Sequence, residues 1–355
     1  MKAELPEMGK ISRDVFEKII IAHLGKKRRQ VLVGPQHGVD VGIVDIGGGQ
    51  VMALTADPVF IVPQYGWRRA AWFAVHILAS DAATSGLAPT YMTVDLNLPL
   101  SITKDDLAKM WLVFAQEAKK LGISIVAGHT GRYAGCDYPM VGGATVMSIG
   151  PADKYITPKG AMVGDKVIVT KGAAIEATGL FAVTFPDKIA AAYGKEFADK
   201  AQDMFYQMTV VEDCLVAAAV GVREDGVTSM HDATECGVWG GLSEVAEASA
   251  KGMHIVKENI LVPDAVDRIC KLFGIDPYSS ISEGTLIITC RPHKANDVVA
   301  RLGEAGIAST IVGEVLPPEK GVTCSDHGAV RALEHPKVDP FWAAFDREIG
   351  SLQKQ

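Results

Sequence analysis

Residues 34–60, GPQHGVDVGIVDIGGGQVMALTADPVF, constrain the fold more than any other stretch. A Gly-rich loop ends in Asp40, and a short apolar run leads to Gly47-Gly48-Gly49. A second apolar run then ends at Thr55-Ala56-Asp57-Pro58. Two apolar runs joined by a glycine turn predict a β-hairpin. A hairpin brings the start of its first strand beside the end of its second. Asp40 and Asp57 are therefore expected at one sheet edge, outside the apolar runs. Two such carboxylates repel unless a cation lies between them, although aspartate is also a common solvated turn residue.

The 355-residue length suggests two domains. With 48% apolar and 22% charged residues and a net charge of −7, the composition is that of a water-soluble globular protein and not of a general nucleic-acid binder. The basic run Lys26-Lys27-Arg28-Arg29 reads as a solvated loop. No apolar run is long enough for a membrane span and no secretory leader is visible, so a cytoplasmic location is expected. Cysteines 136, 214, 236, 270, 290 and 324 form no CxxC pair and no zinc spacing. Free thiols are expected.

Further along, 14–24 reads as a short helix and 67–80 as a long apolar helix leading into Asp81. Residues 91–98 alternate as a strand. Residues 102–121 carry a Thr103 cap, acidic first-turn residues, an apolar stripe and a Gly122 stop. Residues 123–127 read as a buried strand ending in the loop Gly128-His129-Thr130-Gly131, and 144–149 as another strand. The order β-β-α-β-α-β-β is an α+β domain. After the Gly/Pro-rich stretch 150–165, a second α/β domain is expected, with strands at 166–170, 227–230, 285–290 and 309–315. Helices are expected in 174–220, 238–251, 264–273 and 293–305. The resulting domains are 1–155 and 156–318, followed by a tail, 319–355. Phe341, Trp342, Phe345, Ile349 and Leu352 share one helical face of that tail, which is expected to dock on the body.

The common signatures GxxxxGK[ST], GxSxG and HExxH are absent, as is a GxGxxG between strand and helix. Phosphate chemistry would have to use Gly-rich loops, helix N-termini and metal ions. Magnesium takes a few carboxylates together with phosphate oxygens. Asp40, Asp57 and Asp81 each stand at an element's end and can supply them. Met230-His231-Asp232-Ala233-Thr234-Glu235-Cys236-Gly237 reads as a loop opening onto a helix N-terminus, a favourable place for an anion. Asp232 there could hold a second metal. His129 and His231 are the best-placed histidines, with structural roles as the alternative. Cys136 and Cys236 lie in Gly-rich loops, and either could be a nucleophile or a small buried apolar residue.

With these loops in this order, the chain resembles the superfamily of aminoimidazole ribonucleotide (AIR) synthetase, thiamine-monophosphate kinase, selenophosphate synthetase and the hydrogenase maturation factor HypE. The pieces are GVDVGIVD, LTADP, ASDAATSGLAP, IVAGHTG, HDATECGVWGGLSEVAEAS, DPYSSISEGTLIIT and IVGEV, spread over residues 30–316. The last three look most like HypE. The resemblance implies an N-terminal α+β domain that dimerises through its strands and a C-terminal α/β domain. ATP would lie in the cleft between them. Asp40, Asp57, Asp81 and Asp232 would hold Mg²⁺. Gly38, Thr55, Gly128 and Gly237 would border the nucleotide, and His129, Thr130, His231, Asp232 and Thr234 would serve the acceptor. The implied reaction is ATP-dependent phosphorylation of an amide, carboxylate or similar oxygen, on a small molecule or a protein-borne group. A homodimer and a maturation partner protein are the implied associations, with neither nucleic acid nor membrane.

Several positions depart from the pattern. The HypE tail Pro-Arg-Ile-Cys is replaced here by Ser351-Leu352-Gln353-Lys354-Gln355. His129 stands at a usually acidic position, Glu235 replaces an arginine and Cys236 a glycine. Two rival readings follow. One is a non-catalytic nucleotide-binding scaffold of the same fold. The other is a metal or thiol carrier using Cys136, Cys236, His129 and His231.

Overall fold

A computed structural model describes residues 11–352, with side chains through residue 350. The helical turn α1 (Arg13–Val15) continues through a π turn, Phe16–Ile20, and a 3₁₀ turn, Ile21–His23. β1 (Val31–Val33), β2 (Gly42–Gly47) and β3 (Gln50–Phe60) follow. Then come α2 (Trp67–Ala83), β4 (Pro89–Leu98), α3 (Lys104–Lys120), β5 (Ser124–Arg132) and β6 (Met140–Pro151). These strands make a six-stranded sheet ordered β1-β2-β3-β6-β4-β5.

The expected hairpin forms. Gly42 pairs with Leu54 and Val44 with Met52, and the turn glycines 47–49 all take positive φ. β3 runs further than the sequence suggests. Asp57 and Pro58 lie within it, opposite Ala144 and Gly143 of β6. Asp57 is thus a strand residue, held by pairing to a strand far along the chain. α3 starts where Thr103 accepts the Asp106 N–H, and its buried face is Met110, Phe114 and Ala118. These residues pack with α2 on one face of the sheet.

The Gly128–Gly131 stretch is also strand. β5 runs parallel to β4, with Asp95 opposite His129 and Leu96 opposite Thr130. β5 is the sheet edge and is largely exposed, correcting the expectation of a buried strand ending in a loop. Its pairing with β4 carries it through the glycines. A Cβ on Gly128 would sit 2.1 Å from the Val94 carbonyl oxygen, so this close approach requires glycine.

The second domain comprises β7 (Lys166–Thr170), α4 (Ile175–Thr184), α5 (Pro186–Tyr193), α6 (Lys195–Ala201), α7 (Val211–Val220) and β8 (Val227–Ala233). It continues with α8 (Gly237–Ser249), β9 (Gly252–Val256), α9 (Asp264–Phe273), β10 (Thr285–Cys290), α10 (Ala295–Glu304) and β11 (Ser309–Leu316). Its seven-stranded sheet is ordered β13-β12-β9-β11-β7-β10-β8, the last two members in sequence being β12 (Val322–Asp326) and β13 (Ala329–Ala332). All pairs are antiparallel except β9–β12.

β9, β12 and β13 add to the expected strands. β8 extends to Ala233, because Asp232 and His231 pair with Leu286 and Ile287 of β10. The loop before α8 is therefore only Thr234–Cys236. The tail helix α11 (Pro340–Leu352) docks as expected. Phe341 is buried in a cluster with Phe181, Phe185 and Phe273, and Trp342, Phe345 and Ile349 pack at its edge. The side chain of Leu352 lies outside the described residues. Among the described residues, no helix is long and apolar enough to cross a membrane.

Candidate functional site

His231 joins the two domains. Its Nδ1 lies 2.7 Å from Asp40 Oδ2 in the N-terminal loop, and its Nε2 lies 2.9 Å from Glu244 Oε2 on α8. Carboxylates only accept, so both ring nitrogens donate and the ring is an imidazolium. Burial pulls the proton affinity of His231 down. Asp40 and then Glu244 pull it up more strongly, and the net result lies well above the ordinary histidine value. Gly38 sits beside this contact, where an added Cβ would meet Glu244 Cβ at 3.3 Å.

A second carboxylate group is organised by Thr55, buried in β3. Its hydroxyl lies 3.1 Å from Asp81 Oδ2 and 3.4 Å from Asp57 Oδ2. Asp81 lies inside the last turn of α2, which runs on to Ala83 and not to residue 80. Its carboxyl is pushed well above the usual carboxylate range, first by burial and then by Asp232, Asp57 and Asp40. Crowded carboxyl groups whose neighbours are other carboxyl groups mark a place short of positive charge. A divalent cation fits that deficit. Among the described residues, ligand atoms of Asp40 and Asp232 lie within 4.8 Å of each other and of His231, whose two ring nitrogens are already committed to Asp40 and Glu244, and Asp57 and Asp81 adjoin this set.

Two spaces meet at β3. An open groove of about 660 Å³ is lined by Asp57, Pro58, Asp95, Gly128, His129 and Gly142, among others. A more enclosed cavity of about 280 Å³ is lined by Asp57, Pro58, Asp81, Glu176, Thr234 and Glu283, with aromatic walls. Asp57 and Pro58 belong to both. His129 thus faces the open groove. Its Nε2 lies 2.8 Å from the Tyr133 hydroxyl, and Thr130 is exposed beside it on β5. Thr234 lines the more enclosed cavity instead.

At the start of α8, Gly237 has φ +58° and an added Cβ would lie 2.4 Å from the Ser280 carbonyl oxygen. Cys236 before it is also left-handed, at φ 61°. The tail steadies this turn. Asp339 Oδ2 accepts the Cys236 N–H at 2.7 Å, and the Pro336 carbonyl lies 3.5 Å from the thiol. Cys236 is buried and Cys136 partly so. Among the described residues, no cysteine joins either potential metal group, the other being Glu258, Asp326 and His327. That arrangement gives the carrier reading no support.

Glu176, Glu244, Glu283 and Lys171 escaped the sequence reading, since nothing local distinguishes them from helix or loop residues. Glu176 Oε2 accepts the Glu283 N–H at 3.0 Å. Burial raises the Glu176 carboxyl to about 8, with Asp339, Glu235 and Asp232 adding to it against that hydrogen bond. Its proton is held more tightly in the folded than in the unfolded chain. The associated stability is complete below about 4.5 and lost as pH rises through about 8. In metal-free buffer, chemical denaturation should show stability falling by a few kcal/mol, on the order of the full shift, across this range. Glu176→Gln should flatten the profile.

Comparison with known proteins follows the same geometry. The family model described as "AIR synthase related protein, N-terminal domain" matches residues 38–149, and "AIR synthase related protein, C-terminal domain" matches 162–324. Carbamoyl dehydratase HypE of Bradyrhizobium diazoefficiens is 25% identical over 276 residues, covering 75% of this chain and 73% of that one. The HypE–HypF complex structure superposes with a TM-score of 0.67 at 20% identity, covering 91% of this chain and 99% of that one. A HypE structure in complex with ATP gives a TM-score of 0.60 at 18% identity, covering 94% and 97%. The two matched domains span most of the chain and contain the carboxylate cluster, the His231 clamp and the open groove, while the tail helix beyond them completes the enclosed cavity; the protein is a member of the AIR synthase related family.

Proposed function

We propose that the protein is an ATP-dependent, Mg²⁺-requiring enzyme that phosphorylates an oxygen of an acceptor and so activates it for loss or displacement. The observation that carries this reading is the sharing of Asp57 and Pro58 between the open groove and the enclosed cavity. Two ligands lying in these spaces meet at a carboxylate cluster. The similarity to a HypE structure in complex with ATP supports the nucleotide. In the transfer, an acceptor oxygen bonds to the γ-phosphorus, the bond from that phosphorus to the β–γ bridging oxygen breaks, and ADP leaves with the electron pair.

Asp40, Asp57, Asp81 and Asp232 would hold Mg²⁺, which supplies charge neutralisation for the phosphates. The Thr55 hydroxyl orients Asp57 and Asp81, and the imidazolium of His231 holds Asp40 in place. Gly128 and His129 border the groove side, and Thr234 the cavity side. A second copy of the chain would pack on the N-terminal sheet, where Val126 is 55% and Met140 57% exposed. A maturation protein that delivers or receives the activated group completes this reading, in keeping with the likeness to the HypE–HypF complex.

Isothermal titration should show Mg²⁺-dependent ATP binding, weakened about 100-fold, or ~2.7 kcal/mol, by Asp57→Ala. No binding to the unaltered chain, or equal binding to the variant, overturns the reading.

A further inference from the structure

Two carboxylates hold His231, and they differ in what else they can do. Asp40 belongs to the cation-binding set. Glu244 stands in the middle of α8, is 9% exposed and lines neither space beside β3. A buried carboxylate costs free energy unless it is paired. Its Oε2 accepts the Nε2–H of His231 at 2.9 Å, whereas His335 Nε2 stands 3.9 Å from its Oε1, beyond hydrogen-bond range.

The imidazole ring is rigid and planar, so holding one nitrogen sets the direction of the other. The backbone of His231 is pinned in β8, opposite Ile287 of β10, and Glu244 pins the ring at Nε2. Nδ1–H is thereby directed at Asp40 Oδ2, 2.7 Å away. Asp40 has no sheet pairing to hold it. It lies in the loop before β2, which begins at Gly42. With Oδ2 committed to His231, Oδ1 is the oxygen for a cation. Glu244 also supports this loop directly. Gly38 has φ +69°, and an added Cβ would meet Glu244 Cβ at 3.3 Å. One residue of α8 thus bears on the loop twice, under Gly38 and, through His231, under Asp40.

We propose that Glu244 is a positioning residue for the cation site: through the ring of His231 it fixes Asp40 across the domain boundary, so that α8 sets the metal affinity of the N-terminal loop. This rests on the metal part of the reading above and on no particular acceptor. A group that orients a metal-binding residue from behind typically changes metal affinity by roughly 10- to 100-fold when it is removed. Without Glu244 the ring loses its second anchor, and the Asp40 carboxylate is no longer held in one direction.

The test uses the full chain with Mn²⁺ alone as the probe, bound and free ion being counted by electron paramagnetic resonance. Glu244→Ala should weaken Mn²⁺ binding about tenfold or more. Glu244→Gln loses the same charge but keeps an acceptor for the Nε2–H, so it should bind within about threefold of the unaltered chain. Because Glu244 acts through Asp40, adding Glu244→Ala to Asp40→Ala should cost no further affinity, whereas a general loosening of the structure would add to it. Circular dichroism checks the folding of each variant. Glu244→Met, which fills the space without the carboxylate, gives the same comparison where alanine does not fold. Unchanged or tighter Mn²⁺ binding by Glu244→Ala overturns the inference. So does a glutamine variant no better than alanine, an additive double variant, or no Mn²⁺ binding to the unaltered chain. An Mg–ATP titration run alongside separates the two readings. The expected Mn²⁺ pattern without Mg–ATP binding removes the phosphoryl-transfer reading and leaves the positioning role. Mg–ATP binding with Mn²⁺ affinity indifferent to Glu244 does the reverse.

Discussion

Replacing His231 with alanine should cost about 3–5 kcal/mol of stability, measured by urea denaturation near neutral pH. The ring is almost wholly buried and both nitrogens donate to carboxylates, Asp40 at 2.7 Å and Glu244 at 2.9 Å. Their side chains are only 14% and 11% exposed. Alanine leaves two largely desolvated negative charges facing a void. His335 Nε2 is 3.9 Å from Glu244, too distant to replace the lost hydrogen bond. Adding Asp40→Asn to His231→Ala should recover part of the loss, because one of the two charges is gone. A loss below about 1 kcal/mol for His231→Ala would show that the clamp is not the structural cation described here.

Lys171→Met should be comparably costly, at about 3–5 kcal/mol. Lys171 Nζ lies 2.7 Å from Asp213 Oδ2, 2.6 Å from the Thr209 carbonyl and 2.9 Å from the Gly284 carbonyl, so its three protons are all used. Asp213 is 2% exposed and, among the described residues, keeps the Thr170 hydroxyl at 2.7 Å when the lysine is lost. Methionine fills similar volume without the charge. Neither residue suits the left-handed backbone at φ 58°, so the change isolates the ion pair. A double variant with Asp213→Asn should be less destabilised than the sum of the two single variants. Strict additivity would show that the two side chains do not interact.

Much of the fold was legible because it is written in local pattern. α9 and β10 match the expected ranges 264–273 and 285–290, and α3 starts at its Thr103 cap and stops at Gly122. The hairpin followed from its three turn glycines, and the docking of α11 from its apolar face. Errors arose where a distant strand decides. Asp57, the 128–131 stretch and His231–Asp232 were expected outside strands, yet β6, β4 and β10 pair with them. β12 pairs with β9, some seventy residues earlier, and no local signal announces such a partner. Cys236 stood out as a substitution for glycine, and its left-handed backbone gives that departure physical meaning.

The sequence by itself determined which aspartates and glycines could serve a phosphate site, through their places in Gly-rich loops and at the ends of apolar runs. Only the tertiary structure decided how they divide. It clamped Asp40 with His231 and coupled Asp57 to Asp81 through Thr55. It set His129 in the open groove, apart from the enclosed cavity. It also brought Glu176, Glu283 and α11 around that cavity, from segments spread over more than a hundred and fifty residues of the chain. Backbone pattern acts between neighbours in the chain. Desolvation and charge act between neighbours in space, and the site is built from the second kind.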